Sequence, residues 1–238
     1  MRTIDTRYMP SVGGIDLEQS LNYIALADVS LEFIYDKYTS GRMIYTVGSR
    51  PVLEGIVAKL VGGTADELER IEKLARFVAK EVAWAGYYHR AMGRRLAYNR
   101  NLDEEGLLAS GYAWCNEQAR LLCALTQIIG IPSRLVFASA RKGGAHVVVE
   151  LLTSNGWLLV DQSFGYLFIN KGEIANAYNV WHNKGNREYF EPVYKELCAK
   201  LTGDLGAELL KDEFSMSQMP EPLDGFEVLG YHNYFIQQ

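Results

Sequence analysis

The chain has 238 residues, of which 48 % are hydrophobic and 22 % are charged, a composition typical of a globular protein rather than a disordered or fibrous one. Its 24 basic and 29 acidic residues give a net charge of −5, which argues against a nucleic-acid-binding surface. No apolar run approaches the roughly 18 to 20 residues of a membrane span, and the polar N-terminal segment lacks the apolar core of a signal peptide. We therefore expect a cytoplasmic protein with neither a nucleic-acid nor a membrane partner.

The N-terminal segment allows two interpretations. Leu31–Tyr38 and Met43–Val47 resemble the two strands of a hairpin, while the spacing across Leu17–Tyr35 is nearly as compatible with a helix. A short helix is predicted over residues 49–60, because Pro51 suits the first turn of a helix.

The next helix carries a clearer signal. Thr64 and Glu67 have the spacing of a capping box, in which each side chain accepts a hydrogen bond from a backbone N–H at the helix start. Apolar residues then recur at helical spacing, at Leu68, Ile71, Leu74, Ala75, Val78 and Val82. The segment 84–101, which is rich in Tyr, Arg and Asn, is predicted to be an irregular loop.

A second amphipathic helix is predicted over residues 115–129. It ends at Gly130, which can adopt left-handed geometry, and Pro132 prevents its continuation. Three strand-like runs follow, at Arg134–Ala138, His146–Leu152 and Trp157–Asp161. A helix followed by an antiparallel meander predicts an α+β fold.

The chain has three cysteines, Cys115, Cys123 and Cys198, and no CxxC pair. This set is neither a disulfide framework nor a zinc site, so at least one thiol should be free. Cys115 lies where the second helix should begin, and the helix dipole there favours the nucleophilic thiolate. The alternative is an inert core cysteine, which is the interpretation that we favour for Cys123 and Cys198.

His146 opens one apolar strand and Asp161 closes the next, so the pair could supply a base and the carboxylate that orients it. A turn spanning Leu152–Asn155 would set the two residues directly opposite each other. A tight turn at Asn155-Gly156 would also put them on one face, but four residues apart, and contact would then need a bulge.

The segment from Gly111 to Gly165 resembles the core of the transglutaminase-like superfamily. The resemblance is carried by WCNEQARLLCALTQIIGIPSRLV, then AHVVVELL, then GWLLVDQSFG. It implies a papain/transglutaminase-like core in which a nucleophile helix packs on an antiparallel meander. It also implies that Cys115 is the nucleophile, His146 the general base and Asp161 the orienting carboxylate.

The sequence departs from the family pattern at two positions. Ala113 stands where the family commonly has Gly, and Gln162 stands where Pro often follows the Asp. The family also implies an oxyanion hole built from the backbone N–H of the cysteine and one upstream side-chain donor. The candidates are Trp84, Tyr87, Asn99 and Asn101, and we favour Trp84, because an indole N–H can only donate. An aromatic residue that caps the core is the competing interpretation.

The four arginines of the predicted loop and one further histidine are also candidate functional residues. Four arginines lie in the predicted loop before the nucleophile helix, at Arg90, Arg94, Arg95 and Arg100. A solvated loop is one interpretation, and recognition of an anionic substrate group is the other. His182 is a weaker rival for the general base.

The sequence therefore predicts a single domain over residues 1–238, with a catalytic core at about 64–170, an N-terminal extension at 1–63 and a C-terminal extension at 171–238. The expected activity is cysteine-dependent amide-bond processing through a thioester, by hydrolysis or by acyl transfer, on a protein, a peptide or a small amide. No metal or organic cofactor is implied. The alternatives are a non-catalytic binding module that retains the fold and an acetyl-transferring enzyme with the same three residues.

Overall fold

The computed structural model describes six stretches of the chain, namely residues 43–86, 102–140, 145–170, 172–182, 188–189 and 226–233. The predictions for residues 1–42, for residues 87–101 of the predicted loop 84–101 and for most of the C-terminal extension lie outside these stretches. The loop prediction is wrong at its first residue, because Trp84 lies in a short strand. Met43–Val47, which was predicted as half of a hairpin, is described and forms neither helix nor strand. No helix in the described stretches is long and apolar enough to cross a membrane.

The described residues form five helices and nine strands. The helices are α1 (Pro51–Val61), α2 (Glu67–Glu81), α3 (Glu104–Ser110), α4 (Cys115–Ile128) and α5 (Ala177–His182). The strands are β1 (Ala83–Trp84), β2 (Tyr112–Ala113), β3 (Ser133–Ala140), β4 (Ala145–Thr153), β5 (Gly156–Asp161), β6 (Tyr166–Asn170), β7 (Glu173–Ile174), β8 (Glu188–Tyr189) and β9 (Phe226–Asn233).

The helix α2 begins at Glu67, but the predicted capping box is wrong. Its N-cap is Asp66, whose carboxylate accepts the N–H of Glu69 at 2.7 Å. Glu67 instead accepts hydrogen bonds from the backbone N–H and the hydroxyl of Ser154, at 3.0 and 2.8 Å, in the turn between β4 and β5. A carboxylate that lies next to the helix start caps it better than a threonine two residues farther away.

The helix α4 runs through the interior of the molecule. Every residue from Asn116 to Gln127 is buried, and the chain turns at Gly130, where φ is 80°. This end point confirms the predicted one, because glycine adopts a positive φ without steric cost. The helix packs on α2 and on β3 and β4.

The main sheet has seven described strands in the order β7-β6-β5-β4-β3-β9, and β8 pairs with β6. Strands β3 to β6 form the predicted antiparallel meander, whereas β9 comes from the far end of the chain and pairs antiparallel with β3. Helices packed on an antiparallel sheet confirm the α+β class.

One hydrophobic core joins α1, α2 and α4 to the sheet. Its sheet side is formed by alternate residues of four neighbouring strands, at Leu135, Phe137, Val147, Val149, Leu151, Leu158, Val160 and Leu167. The intervening residues Val136, Val148 and Leu159 are fully buried as well. Burial on both faces explains why these strands are nearly continuous apolar runs in the sequence.

A buried cluster of charges fixes α3, the helix that leads into the strand before Cys115. Glu104 has no exposed side-chain surface and pairs with Arg50 at 2.9 Å and with Arg120 of α4 at 3.5 Å. Arg50 also pairs with Glu105. The two positive and two negative charges balance, and they connect the start of α1 to α3 and α4.

Candidate active site

Cys115 is the first residue of α4. The residue before it, Trp114, has extended backbone geometry. The backbone N–H of Trp114 donates to the Glu117 carboxylate at 2.8 Å, which fixes the first turn of the helix. The Cys115 thiol is free and half-buried, whereas that of Cys123 is fully buried. Cys115 therefore combines solvent access with the helix N-terminus that the sequence predicted for it.

A short parallel strand pair brings Trp84 to this helix start. Strand β1 pairs with β2, and Trp84 is aligned with Ala113, two residues before Cys115. Gln118 of α4 donates from Nε2 to the carbonyl of Val82 at 2.6 Å, which ties the chain before β1 to the same helix. Trp84 thus lies beside the N-terminal end of α4, where an upstream oxyanion donor was predicted.

His146 and Asp161 are in direct contact, with 2.9 Å between Nε2 and Oδ2. The last pairs of the hairpin align Thr153 with Gly156 and Val149 with Val160. Continued by one residue, this register sets Asp161 opposite Val148, two residues from His146.

Both registers considered from the sequence are therefore wrong. The turn consists of Ser154 and Asn155, so His146 and Asp161 are offset by two residues along the strands. This offset is midway between the direct opposition and the four-residue offset that the two predicted turns would give. Side chains at diagonal positions of adjacent strands still reach each other, so the contact needs neither a longer turn nor a bulge.

The Asp161 carboxylate is held by both of its oxygens. It is fully buried; Oδ2 faces His146, and Oδ1 accepts the backbone N–H of Ser163 at 3.0 Å. With one oxygen fixed by the backbone, the other is held in the direction of the imidazole. Asp161 can therefore orient the ring and stabilise its protonated form.

The pKa of His146 reports how strongly this arrangement favours the imidazolium. Burial is the largest single influence and acts to lower the pKa, but the charge of Asp161, its hydrogen bond and the interaction with Cys115 raise it to about 10. Because Nε2 faces Asp161, Nδ1 is the ring nitrogen left to face the thiol. The three groups thus form a connected series from carboxylate to imidazole to thiol.

Aromatic side chains surround this series. Trp84 meets Trp114 edge-on with ring centroids 6.2 Å apart, and lies 6.3 Å from Phe164. Phe164 in turn lies 6.2 Å from the His146 ring. Phe164 and Trp114 were not singled out from the sequence, although each is close in sequence to a predicted site residue, Asp161 and Cys115 respectively.

Of the remaining candidates, Cys123 is the one whose side chain is described, and it does not join this site. Cys123 is buried, and burial raises the pKa of its thiol to about 12, which supports an inert core residue. The donors Tyr87, Asn99 and Asn101 lie outside the described residues. Five more candidates also lie outside the described residues, namely Arg90, Arg94, Arg95, Arg100 and Cys198. His182 is the last residue of α5, and its side chain is not among those described.

Comparisons with known proteins show what the chain is similar to. Residues 54–162 match the family model of the Transglutaminase-like superfamily. None of the curated proteins compared with the chain matches its sequence at a significant level. The match covers 109 of the 238 residues and confirms the resemblance seen in the sequence.

Solved structures with similar folds include a presumed cysteine protease from Cytophaga hutchinsonii, with 16% identity and a TM-score of 0.39 over 47% of this chain and 36% of that one. A TGase shows 16% identity and a TM-score of 0.39 over 58% of this chain and 38% of that one. A presumed protease from Parabacteroides distasonis shows 12% identity and a TM-score of 0.34 over 48% and 26%. The chain thus spans well under half the length of each.

Proposed function

We propose that this protein is a cysteine-dependent enzyme that processes amide bonds, with Cys115 as nucleophile, His146 as general base and acid, and Asp161 as the orienting carboxylate. The observation that carries the proposal is the connected series of these side chains, with 2.9 Å between Nε2 and Oδ2 and the thiol among the groups that raise the pKa of His146. A half-buried thiol beside an imidazole that a carboxylate orients is the arrangement in which a base activates a cysteine nucleophile.

The mechanism proceeds in two halves. The Cys115 thiolate attacks the amide carbonyl carbon, the C–N bond breaks, and the His146 imidazolium gives its proton to the leaving amine, so that a thioester remains. His146 then takes a proton from the acyl acceptor, which attacks the thioester and releases the thiolate. The catalytic steps use three side chains and the acceptor.

The oxyanion that forms in each half of the reaction needs hydrogen-bond donors to stabilise it. The backbone N–H of Cys115, at the first position of α4, has no partner within the helix. The indole N–H of Trp84 is the second donor in this proposal, because β1 places that residue beside the helix start. Donors held rigidly around a developing charge stabilise the transition state without reorganisation.

The acceptor decides the reaction class. Water gives a peptidase, an amidase or a deamidase, and an amine gives a crosslinking transferase. Resemblance to the compact members of the superfamily favours hydrolysis. A protein, a peptide or a small amide is the proposed substrate, and a cytoplasmic location belongs to the same proposal.

The test is turnover of an activated ester, p-nitrophenyl acetate, by the full-length protein, by Cys115→Ala and by Cys123→Ala. We expect turnover that Cys115→Ala abolishes and Cys123→Ala retains. A fluorescent primary amine and a glutamine-containing protein then distinguish the acceptors, since only a transferase incorporates the amine. Turnover by the wild-type protein that equals that of Cys115→Ala would support the non-catalytic module instead.

A further inference from the structure

Gln162 forms hydrogen bonds with two of the elements that carry the site, α4 and β4. It follows Asp161 directly, and its side chain is fully buried. Its amide nitrogen donates to the carbonyl of Cys115 at 3.0 Å and to the carbonyl of Val147 at 2.9 Å. Because both partners are acceptors, the NH2 group of the amide must be the end that faces them.

These two hydrogen bonds join the three reacting residues. One carbonyl belongs to the nucleophile itself, the other to the residue after His146, and Gln162 is covalently attached to Asp161. A single side chain therefore connects the start of α4, the start of β4 and the end of β5. Loss of the two bonds would free the helix start to move relative to the imidazole.

The neighbouring residue strengthens the same link. The Ser163 hydroxyl donates to Oε1 of Gln118 at 2.7 Å, and Gln118 lies one turn into the nucleophile helix. The backbone N–H of Ser163 donates to Asp161 at 3.0 Å. The turn after β5 is thus tied both to the helix and to the carboxylate.

Stability alone accounts poorly for a glutamine here. Its Oε1 is buried and accepts no hydrogen bond within the described part of the chain. A buried acceptor of this kind costs about 1 to 3 kcal/mol, which offsets much of what the two donated bonds contribute. Gln162 bonds to one carbonyl in Cys115 and to another next to His146, which indicates a role in holding these two residues in place.

We propose that Gln162 is a positioning residue that sets the separation between the Cys115 thiol and the His146 imidazole. This inference rests on the proposed function, because it concerns the reactivity of that thiol. The sequence contains the corresponding signal, since Gln162 replaces the Pro that often follows the family's Asp, and a proline has no side-chain donor.

The test is the rate at which iodoacetamide alkylates the Cys115-containing peptide, followed by mass spectrometry between about pH 5 and 9. Gln162→Met keeps the approximate shape and removes both donors. Gln127→Met is the matched control, since Gln127 is a buried glutamine near the other end of α4 that donates to Ser133 at 3.1 Å. Thermal melting of each variant separates reactivity from folding.

We expect Gln162→Met to alkylate at least about tenfold more slowly at pH 6 than the wild type, because displacements of about 1 Å cost up to 10²-fold in positioned reactions. Its profile should approach that of an unactivated thiol, which reacts mainly above about pH 8. Gln127→Met should keep the wild-type profile. If Gln162→Met does not fold, Gln162→Asn, whose amide is one methylene shorter, should show the same loss.

Two outcomes would overturn the inference, and they differ. A reactive wild-type thiol with an unchanged profile in a folded Gln162 variant refutes the positioning role and leaves the proposed function intact. A wild-type Cys115 that itself alkylates like an unactivated thiol refutes both.

Discussion

Replacing Asp161 with Asn changes one atom of the series that connects carboxylate, imidazole and thiol. The new side chain has the same shape, and its oxygen can still accept the Ser163 N–H that Oδ1 accepts at 3.0 Å. With the oxygen fixed there, the amide nitrogen takes the place of Oδ2 and donates to Nε2 of His146. The imidazole must then carry its proton on Nδ1, so it can no longer accept a proton from the Cys115 thiol.

The size of the effect follows from what Asp161 supplies. A hydrogen bond to a charged group contributes about 1.5 to 3 kcal/mol, which corresponds to about 10- to 150-fold in the population of the imidazolium. Loss of the carboxylate charge adds to this, because burial acts to lower the pKa of His146 and would no longer be opposed by Asp161. We therefore expect Asp161→Asn to slow alkylation of Cys115 at pH 6 by at least about tenfold.

The assay is the pH profile of alkylation at the Cys115 peptide, with Glu150→Gln as control. Glu150 is also a fully buried carboxylate of the sheet, but it bonds to Arg134 at 2.6 Å and to the N–H of Ala177 at 2.6 Å rather than to the imidazole. The control should lose stability and keep the profile. An Asp161→Asn protein that is folded and alkylates at the wild-type rate at pH 6 would refute the role given to this carboxylate.

Three further predictions follow from the described contacts. Because the pKa of His146 is raised to about 10 in the folded protein from 6.5, the folded state binds the proton more tightly, so the free energy of unfolding should fall as pH rises from about 6.5 to 10. Urea titrations at several pH values measure this, and an equally steep fall in His146→Gln would contradict it. Trp84→Phe keeps a smaller aromatic ring but removes the N–H, and should slow acylation by p-nitrophenyl acetate by about 10²-fold or more in protein that is shown to be folded; a rate within about twofold of the wild type would exclude the indole as an oxyanion donor. Glu104→Gln leaves the buried charge of Arg120 uncompensated and removes one of the two carboxylates that pair with Arg50, so it should lower the free energy of unfolding by about 3 to 5 kcal/mol in urea, whereas a loss below about 1 kcal/mol would show that the cluster contributes little.

The parts of the fold that depend on local pattern could be predicted from the sequence. Gly130 and Pro132 define the end of α4, and the apolar runs predict β3, β4 and β5, because each signal acts within a few residues. The N-cap of α2 was assigned to Thr64 rather than Asp66, since two capping residues compete there and only their backbone geometry decides.

Long-range contacts could not be predicted in this way. Strand β9 joins β3 from the far end of the chain, and no local pattern indicates that pairing. The hairpin register differed by two residues from either alternative, because several two-residue turns are compatible with the sequence between β4 and β5.

The candidate site likewise contains residues that the sequence indicates and residues that only the folded structure reveals. The residue types and order of Cys115, His146 and Asp161 are visible in the sequence, and the structure brings them together. Gln162 and Phe164 contact residues distant in sequence, so only the folded chain shows that they lie at the site. Gln162 was visible only as a departure from the family pattern.

The central claim is that Cys115 carries the acyl group during the reaction. The most direct measurement is to mix the protein with p-nitrophenyl acetate, stop the reaction with acid, and map the acetyl group by peptide mass spectrometry. We expect a burst of p-nitrophenolate of about one equivalent per chain and an acetyl thioester on the Cys115 peptide, both absent in Cys115→Ala. An acetyl group on another residue, or a burst that persists in Cys115→Ala, would contradict it.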